Sequence, residues 1–250
     1  MKRLIPVFLI LFVPALWAAT ATEEKSFDAR GLREVYVSNI NGGIEVLSAP
    51  GDAVRLRAVK TAQREAQLKG IEVRTSVSDG KLTIETEHAR SYLFGILPLK
   101  TGGHVDYTLE VPPGLALTLD TVNGDIRAKG AVRSLHAETV NGSIDAEALG
   151  GKVHLESVNG GITLAIKDPV PQGSLETVNG SITLIAPESL DAHFAFETVN
   201  GDIRFIPERF KVKGKGAKEI EGTFGAGKGN LAAETVNGSI TLRMKGPSAV

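Results

Sequence analysis

The tetrapeptide Thr-Val-Asn-Gly, or a close variant, recurs along this chain, with Asn-Gly pairs beginning at Asn123, Asn141, Asn159, Asn179, Asn200 and Asn237. The spacings are 18, 18, 20, 21 and 37 residues, the last about twice the unit. A period this short marks a supersecondary unit that cannot bury its apolar face alone and must stack on its neighbours. A degenerate copy, SNINGGIEV, surrounds Asn41, and a weaker echo, SDGKLTI, surrounds Asp79. The array therefore covers almost all of the chain after its first 21 residues.

Within the unit SLETVNGSITL, Leu175, Thr177, Ile182 and Leu184 fall on one parity on each side of the turn, and Glu176, Ser181 and Thr183 fall on the other. That alternation is the period of a strand. Asn-Gly tolerates positive φ, so each unit reads as strand, tight turn, strand. The second turn is irregular (ALGGK at 148–152, KDPVPQG at 167–173, APESLD at 186–191), and insertions there account for the drift in spacing.

Three architectures accommodate two short strands per unit. An antiparallel meander would set Glu197 opposite Arg204 and Asp120 opposite Arg127, both favourable cross-strand pairs. A β-solenoid would stack equivalent positions of successive coils at about 4.8 Å, so that each Asn hydrogen-bonds to the Asn above and below. An outer-membrane barrel would need an apolar outer band with aromatic girdles. The outward parity here is Glu, Asp, Ser, Thr and Arg, and only 5% of residues are aromatic, which excludes the barrel. A meander gives no reason for Thr, Asn and Gly to repeat so faithfully. The expected fold is all-β, a single-stranded β-solenoid with two short strands per 18–21-residue coil and Asn-Gly corners. It would have about ten coils, degenerate ones included, and a length of roughly 50 Å.

Met1-Lys2-Arg3 precedes an apolar run from Leu4 to Trp17, with small residues at Ala19-Thr20-Ala21. This reads as a signal peptide over residues 1–21, followed by one domain over 22–250. The run is too short, and with Pro6 and Pro14 too broken, for a spanning helix of about 20 apolar residues. The chain has no cysteine, so neither a disulfide nor a cysteine-linked lipid anchor is available. The expected location is the periplasm or the exterior, with no integral membrane segment after cleavage. Acidic and basic residues balance to within one unit, so nothing calls for a nucleic-acid partner.

The stretch HVDYTLEVPPGLALTLDTVNGDIRAKG (104–130), the ETVNGSI units and the closing GTFGAGKGNLAAETVNGSITL resemble the bacterial putative adhesin family. That family is a β-strand repeat domain of unknown function, related to adhesin-head domains named for a Gly-Ile-Asn pattern. The resemblance covers roughly Phe27 to Met244. It implies an exported β-solenoid and defines no catalytic residue.

Three segments depart from the repeat. Residues 60–70, KTAQREAQLKG, are rich in helix formers and read as a short helix covering one end of the stack. Residues 91–103 carry Tyr92, Phe94 and Ile96 in an apolar loop, which is either a partner site or a further cap. Residues 207–229 carry Lys211, Lys213 and Lys215, either a contact for an anionic glycan or headgroup or lysines that keep an edge strand from pairing.

Stacking would align Asp120, Glu138, Glu156, Glu176, Glu197 and Glu234 as an outer column of carboxylates. At about 4.8 Å, neighbours repel by roughly 1 kcal/mol in water, which Arg127 and Arg204 can relieve for two of them. The calcium-binding nonapeptide is absent. His136 and His154 lie 18 apart, each two residues before a column glutamate, and are a weak zinc candidate. Spacing alone supplies nothing to orient the rings, so the reading is a solvated face with no metal or cofactor. The regular column offers no carboxylate pair in contrasting environments, and no nucleophile triad or phosphate loop stands out. The expected function is a non-catalytic, exported scaffold presenting a repetitive polar surface to a cell-surface or envelope protein or glycan. The alternatives are a β-helix carbohydrate-active enzyme, lyase or hydrolase, and an envelope-stress or assembly docking protein.

Overall fold

The computed structural model describes residues 18–88, 91–93, 97–99, 102–148, 151–168, 171–206 and 218–245. Within them, each Asn-Gly unit begins with a strand of eight or nine residues ending on its Asn. These are Glu34–Asn41, Ala116–Asn123, Ser134–Asn141, Lys152–Asn159, Gln172–Asn179, Ala192–Asn200 and Gly229–Asn237. After a two-residue corner each unit continues into a shorter strand: Ile44–Ser48, Ile126–Gly130, Ile144–Ala148, Ile162–Ile166, Ile182–Pro187, Ile203–Ile206 and Ile240–Lys245. Long strands pair in parallel with long strands and short with short, residue for residue, so Asn123 lies beside Asn141 and Ile126 beside Ile144. The result is two large mixed sheets of ten strands each.

The Asn-Gly element is thus a corner between two sheets and not a hairpin. Neither Glu197 and Arg204 nor Asp120 and Arg127 are cross-strand partners, and the arginines do not relieve the carboxylate column. Arg127 instead meets Asp125 at 3.2 Å and Asp145 at 3.9 Å, and Arg204 meets Asp202 at 2.8 Å. Positive φ is also the wrong reason for the glycine. Of the seven corner glycines after Asn, only Gly42 has φ in the left-handed region, at 114°. The others are glycine because of close approach: a Cβ on Gly160 would overlap the carbonyl oxygen of Gly142 and lie 2.5 Å from its carbon. The same collision recurs for Gly124 on Gly42, Gly142 on Gly124, Gly180 on Gly160, Gly238 on Gly180 and Gly201 on Gly238.

Spatial order departs from chain order at both ends. The coil 229–245 sits between the coils 172–187 and 192–206, so Asn237 contacts both Asn179 and Asn200. Among the described residues the 37-residue interval therefore holds no further coil. The chain skips one layer and returns to fill it. Likewise the coil 34–48 lies directly on 116–130, and strands from the intervening segment add to the end of the stack. There Lys81–His88 and His104–Val111 add parallel strands, and Ile71–Ser78, Ala53–Ala62 and Ala19–Asp28 add antiparallel ones. The echo at Asp79 is a hairpin turn, with φ of 52° at Asp79 and 76° at Gly80. Seven repeat coils with antiparallel covers, among the described residues, replace the expected ten. The antiparallel strands end the parallel ladders and, on one face, the four-residue helix Glu65–Leu68 lies beside them. At the other end Glu219–Phe224 runs antiparallel to Ala192–Asn200.

Between the sheets runs one continuous core. The long strands contribute Leu and Ala, as in Leu135 and Ala137, and the short strands an Ile column through Ile126, Ile144, Ile162, Ile182 and Ile240. Near the last coil the core becomes aromatic, where Phe194 packs on Phe196, Phe205 and Phe224 with ring centroids 5.0–5.5 Å apart. Near the opposite end Tyr107 is buried, its hydroxyl 2.6 Å from Thr86 Oγ1, which in turn donates to Asn39 Oδ1 at 2.9 Å. Lys60 is also buried there, donating to the Ile71 carbonyl at 2.9 Å and pairing with Glu23.

Two outcomes follow from this packing. Gly160→Ala is expected to lower stability by about 3 kcal/mol or more, because backbone must move to admit the methyl group. Gly161→Ala, one residue on, is expected to stay within about 0.5 kcal/mol, since equivalent positions hold Ser143, Ser181 and Asp125. Chemical denaturation of both variants checks the contrast. Burial pushes the Tyr107 hydroxyl up to about 12. Its stabilising contribution is then complete below the unfolded value of about 10 and is lost as pH rises from there through 12. The denaturation midpoint should fall across that window, and less so in Tyr107→Phe.

Candidate functional site

The outer face of the long-strand sheet carries the most regular chemistry in the molecule. Alternation turns Leu135, Ala137 and Thr139 inward and His136, Glu138 and Val140 outward, and the same holds in neighbouring coils. In-register pairing makes a column in the spatial order Ser38, Asp120, Glu138, Glu156, Glu176, Glu234, Glu197. Beside it stands a second column, Ile40, Val122, Val140, Val158, Val178, Val236 and Val199, each between 40% and 57% exposed. The face is concave where the columns meet, a groove of about 550 Å³ lined by both.

Sequence reasoning missed the valines. The signal was present, because Val shares the outward parity of Glu in every unit. A β-branched residue repeated in every coil gives this face an exposed apolar stripe.

The floor of the groove is held by the threonines. Each buried hydroxyl donates to the corner-glycine carbonyl of the adjacent coil: Thr139 to Gly124 at 3.0 Å, Thr177 to Gly160 at 2.9 Å, Thr235 to Gly180 at 2.8 Å. Ser157 does the same to Gly142 at 2.9 Å. At the groove's rim the asparagines form an unbroken amide ladder. Asn123 donates to Asn41, Asn141 to Asn123, Asn159 to Asn141, Asn179 to Asn159, Asn237 to Asn179 and Asn200 to Asn237, at 2.8–3.0 Å. The ladder is exposed, so the buried polar rung is the Thr and not the Asn.

The carboxylates are stabilised locally and unequally. His136 Nε2 lies 2.7 Å from Glu138 Oε1, and His154 Nε2 2.8 Å from Glu156 Oε1. Ser174 Oγ donates to Glu176 at 3.1 Å. Asp120 stands apart. Burial pushes its carboxyl above the ordinary range and the charge of Glu138 adds to this, while a hydrogen bond from Tyr36 opposes it.

The remaining sequence candidates are placed differently. Tyr92 lies in a short antiparallel pair, Ser91–Leu93 with Leu97–Leu99, while Phe94 and Ile96 fall outside the described residues. Lys211, Lys213 and Lys215 also fall outside them. No described helix is long and apolar enough to cross a membrane.

Thr177→Val, which removes the buried hydroxyl's bond to the Gly160 carbonyl, is expected to cost about 1–3 kcal/mol. Asn179→Ala, which removes exposed amide bonds, is expected to cost only about 0.5–1 kcal/mol. Equilibrium unfolding of the two variants gives the order directly.

The Toastrack DUF4097 family model matches residues 28–243. No curated protein matches the chain. Its structure is similar to that of a putative cell adhesion protein from Clostridium sporogenes, with 13% identity, a TM-score of 0.51, and 91% of this chain and 100% of that one covered. A putative adhesin from Bacteroides fragilis is similar over 90% of this chain and 97% of its own, with 8% identity and a TM-score of 0.37. At such identity the Clostridium protein shows a shared fold. With the family match running from Asp28 to Arg243, across every Asn-Gly coil, the chain belongs to the Toastrack DUF4097 family, the bacterial putative adhesins whose repeat its sequence resembles.

Proposed function

We propose that this protein is an exported, non-catalytic scaffold of the single-stranded β-solenoid type. It docks through its carboxylate–valine groove onto a protein or glycan of the cell surface or envelope. The observation that carries this reading is the pairing of two columns, one anionic and one apolar, along the outer face of the stacked coils. A partner that matches one coil matches the next, so weak contacts add along the groove and avidity rises without any single strong pocket. The apolar column contributes burial, and the carboxylates select a partner that brings basic groups to them. The cell-adhesion description of the Clostridium protein that shares this fold agrees with such a role. Export rests on the basic and apolar leader before Ala21, and the mature protein would act in the periplasm or outside the cell.

One observation favours a second reading. Asp120, raised by burial, stands in register with Glu138, and two carboxyls in different environments are what a carbohydrate-active enzyme would use. Docking within an envelope-stress or assembly complex is a variant of the first reading with a different partner.

Val140→Lys combined with Val178→Lys should abolish retention of the mature protein on envelope fractions while leaving its melting temperature nearly unchanged, because both side chains are exposed. Retention unaffected by the double change would defeat the groove as the docking surface. Cleavage of uronic-acid polymers that disappears in Asp120→Asn would replace the scaffold by the enzyme.

A further inference from the structure

Two coils differ from the rest of the outer face. The residue two positions before the column position is Tyr36, Thr118, Ser174, Ala195 or Ala232 elsewhere, but His in the adjacent coils 134–148 and 152–166. Parallel pairing sets His136 beside His154 and Glu138 beside Glu156. The imidazole rings stack with centroids 4.9 Å apart and planes 7° from parallel. Each ring nitrogen is already aimed at its own carboxylate, at 2.7 and 2.8 Å. The ligand atoms of His136, Glu138 and His154 all lie within 4.8 Å of one another, and so do those of His154, Glu156 and Glu176.

We propose that His136, Glu138, His154 and Glu156 form a binding site for one divalent transition-metal ion of the zinc class. The chemistry of the donors selects that class. Two imidazole nitrogens and two carboxylates suit zinc, nickel or copper, whereas calcium and magnesium take oxygen donors. Zinc bonds of about 2.0–2.2 Å set tetrahedral ligand atoms about 3.3 Å apart. Putting the ion where a proton now bridges nitrogen and carboxylate therefore opens each His–Glu pair by only about 0.5 Å. The two pairs must then converge across one strand spacing, which side-chain torsions supply, since all four side chains are between 36% and 47% exposed. The register also holds His136, Glu138 and His154 within 4.8 Å of one another before any ion arrives, with Glu156 beside His154 at 2.8 Å.

Charge favours the same outcome. Asp120 and Glu176 flank the four residues in the column, so the site lies in a row of carboxylates. A dication with two carboxylate ligands makes a neutral centre and relieves their mutual repulsion. This inference does not rest on the docking reading, because the metal is measured on the isolated protein.

The test is titration of the untagged mature chain with zinc chloride by calorimetry, alongside cobalt chloride followed by visible absorption. The expected result is one zinc per chain, with cobalt giving the absorption of a nitrogen- and oxygen-ligated ion. His136→Gln and His154→Gln should each weaken zinc at least tenfold, and the double variant should lose the site while its thermal melt in the absence of metal stays unchanged. Excess calcium or magnesium should not compete. Absence of zinc binding would overturn the proposal. So would binding retained in the double variant, or displacement by calcium as readily as by zinc, which is the behaviour of plain carboxylate screening.

Discussion

The contact of one corner on the next is the constraint on which this structure depends. At each layer a glycine sits against the carbonyl of the glycine below, close enough to exclude any side chain. That approach brings the Thr hydroxyl within reach of the same carbonyl and sets consecutive Asn amides at hydrogen-bonding distance. Three residue types thus serve one geometry. The buried Thr hydroxyl bonds the glycine carbonyl, Gly permits the spacing, and Asn ties the exposed rim. Remove the close approach and the other two lose their partners, which explains why the triplet travels together through the sequence.

From that spacing the surface chemistry follows. A parallel, in-register stack copies whatever stands on the outer face of one coil onto the next, so a single Glu and a single Val become two columns and a groove. The copying has an electrostatic cost, since like charges are brought to one strand spacing. The molecule offsets it piecemeal, with His beside Glu138 and Glu156, Ser beside Glu176, and Tyr36 beside Asp120. Departures from the repeat on this face are therefore the places where its chemistry becomes particular.

The ends obey a different rule. Parallel ladders expose unpaired edges, and here antiparallel strands with no Asn-Gly corner finish several of them. The core changes character to match: Tyr107, Thr86 and Asn39 make a buried polar network at one end, and a cluster of phenylalanines packs at the other. Asn39 occupies the Thr position of its coil and donates to the Val105 carbonyl, where an ordinary coil would offer a glycine. The repeat is thereby joined to a partner that is not a repeat.

Strand alternation, the corner positions, the stacking of Asn on Asn and the alignment of the acids were all legible in the sequence, because each depends on local period or on identity between neighbouring units. The parallel coils themselves follow from the same cause. Other features were decided only by tertiary structure. Whether the corner closes a hairpin or joins two sheets depends on what each strand pairs with, and Asn-Gly is compatible with either. The place of the coil 229–245 between two earlier ones is invisible to periodicity, since the same corner chemistry fits any open edge of the stack. The spacing of the histidines was legible too, but the stacking of their rings and the aim of each at its own carboxylate appear only when coils lie side by side. A sequence specifies what each layer offers, and the three-dimensional fold decides which layers meet.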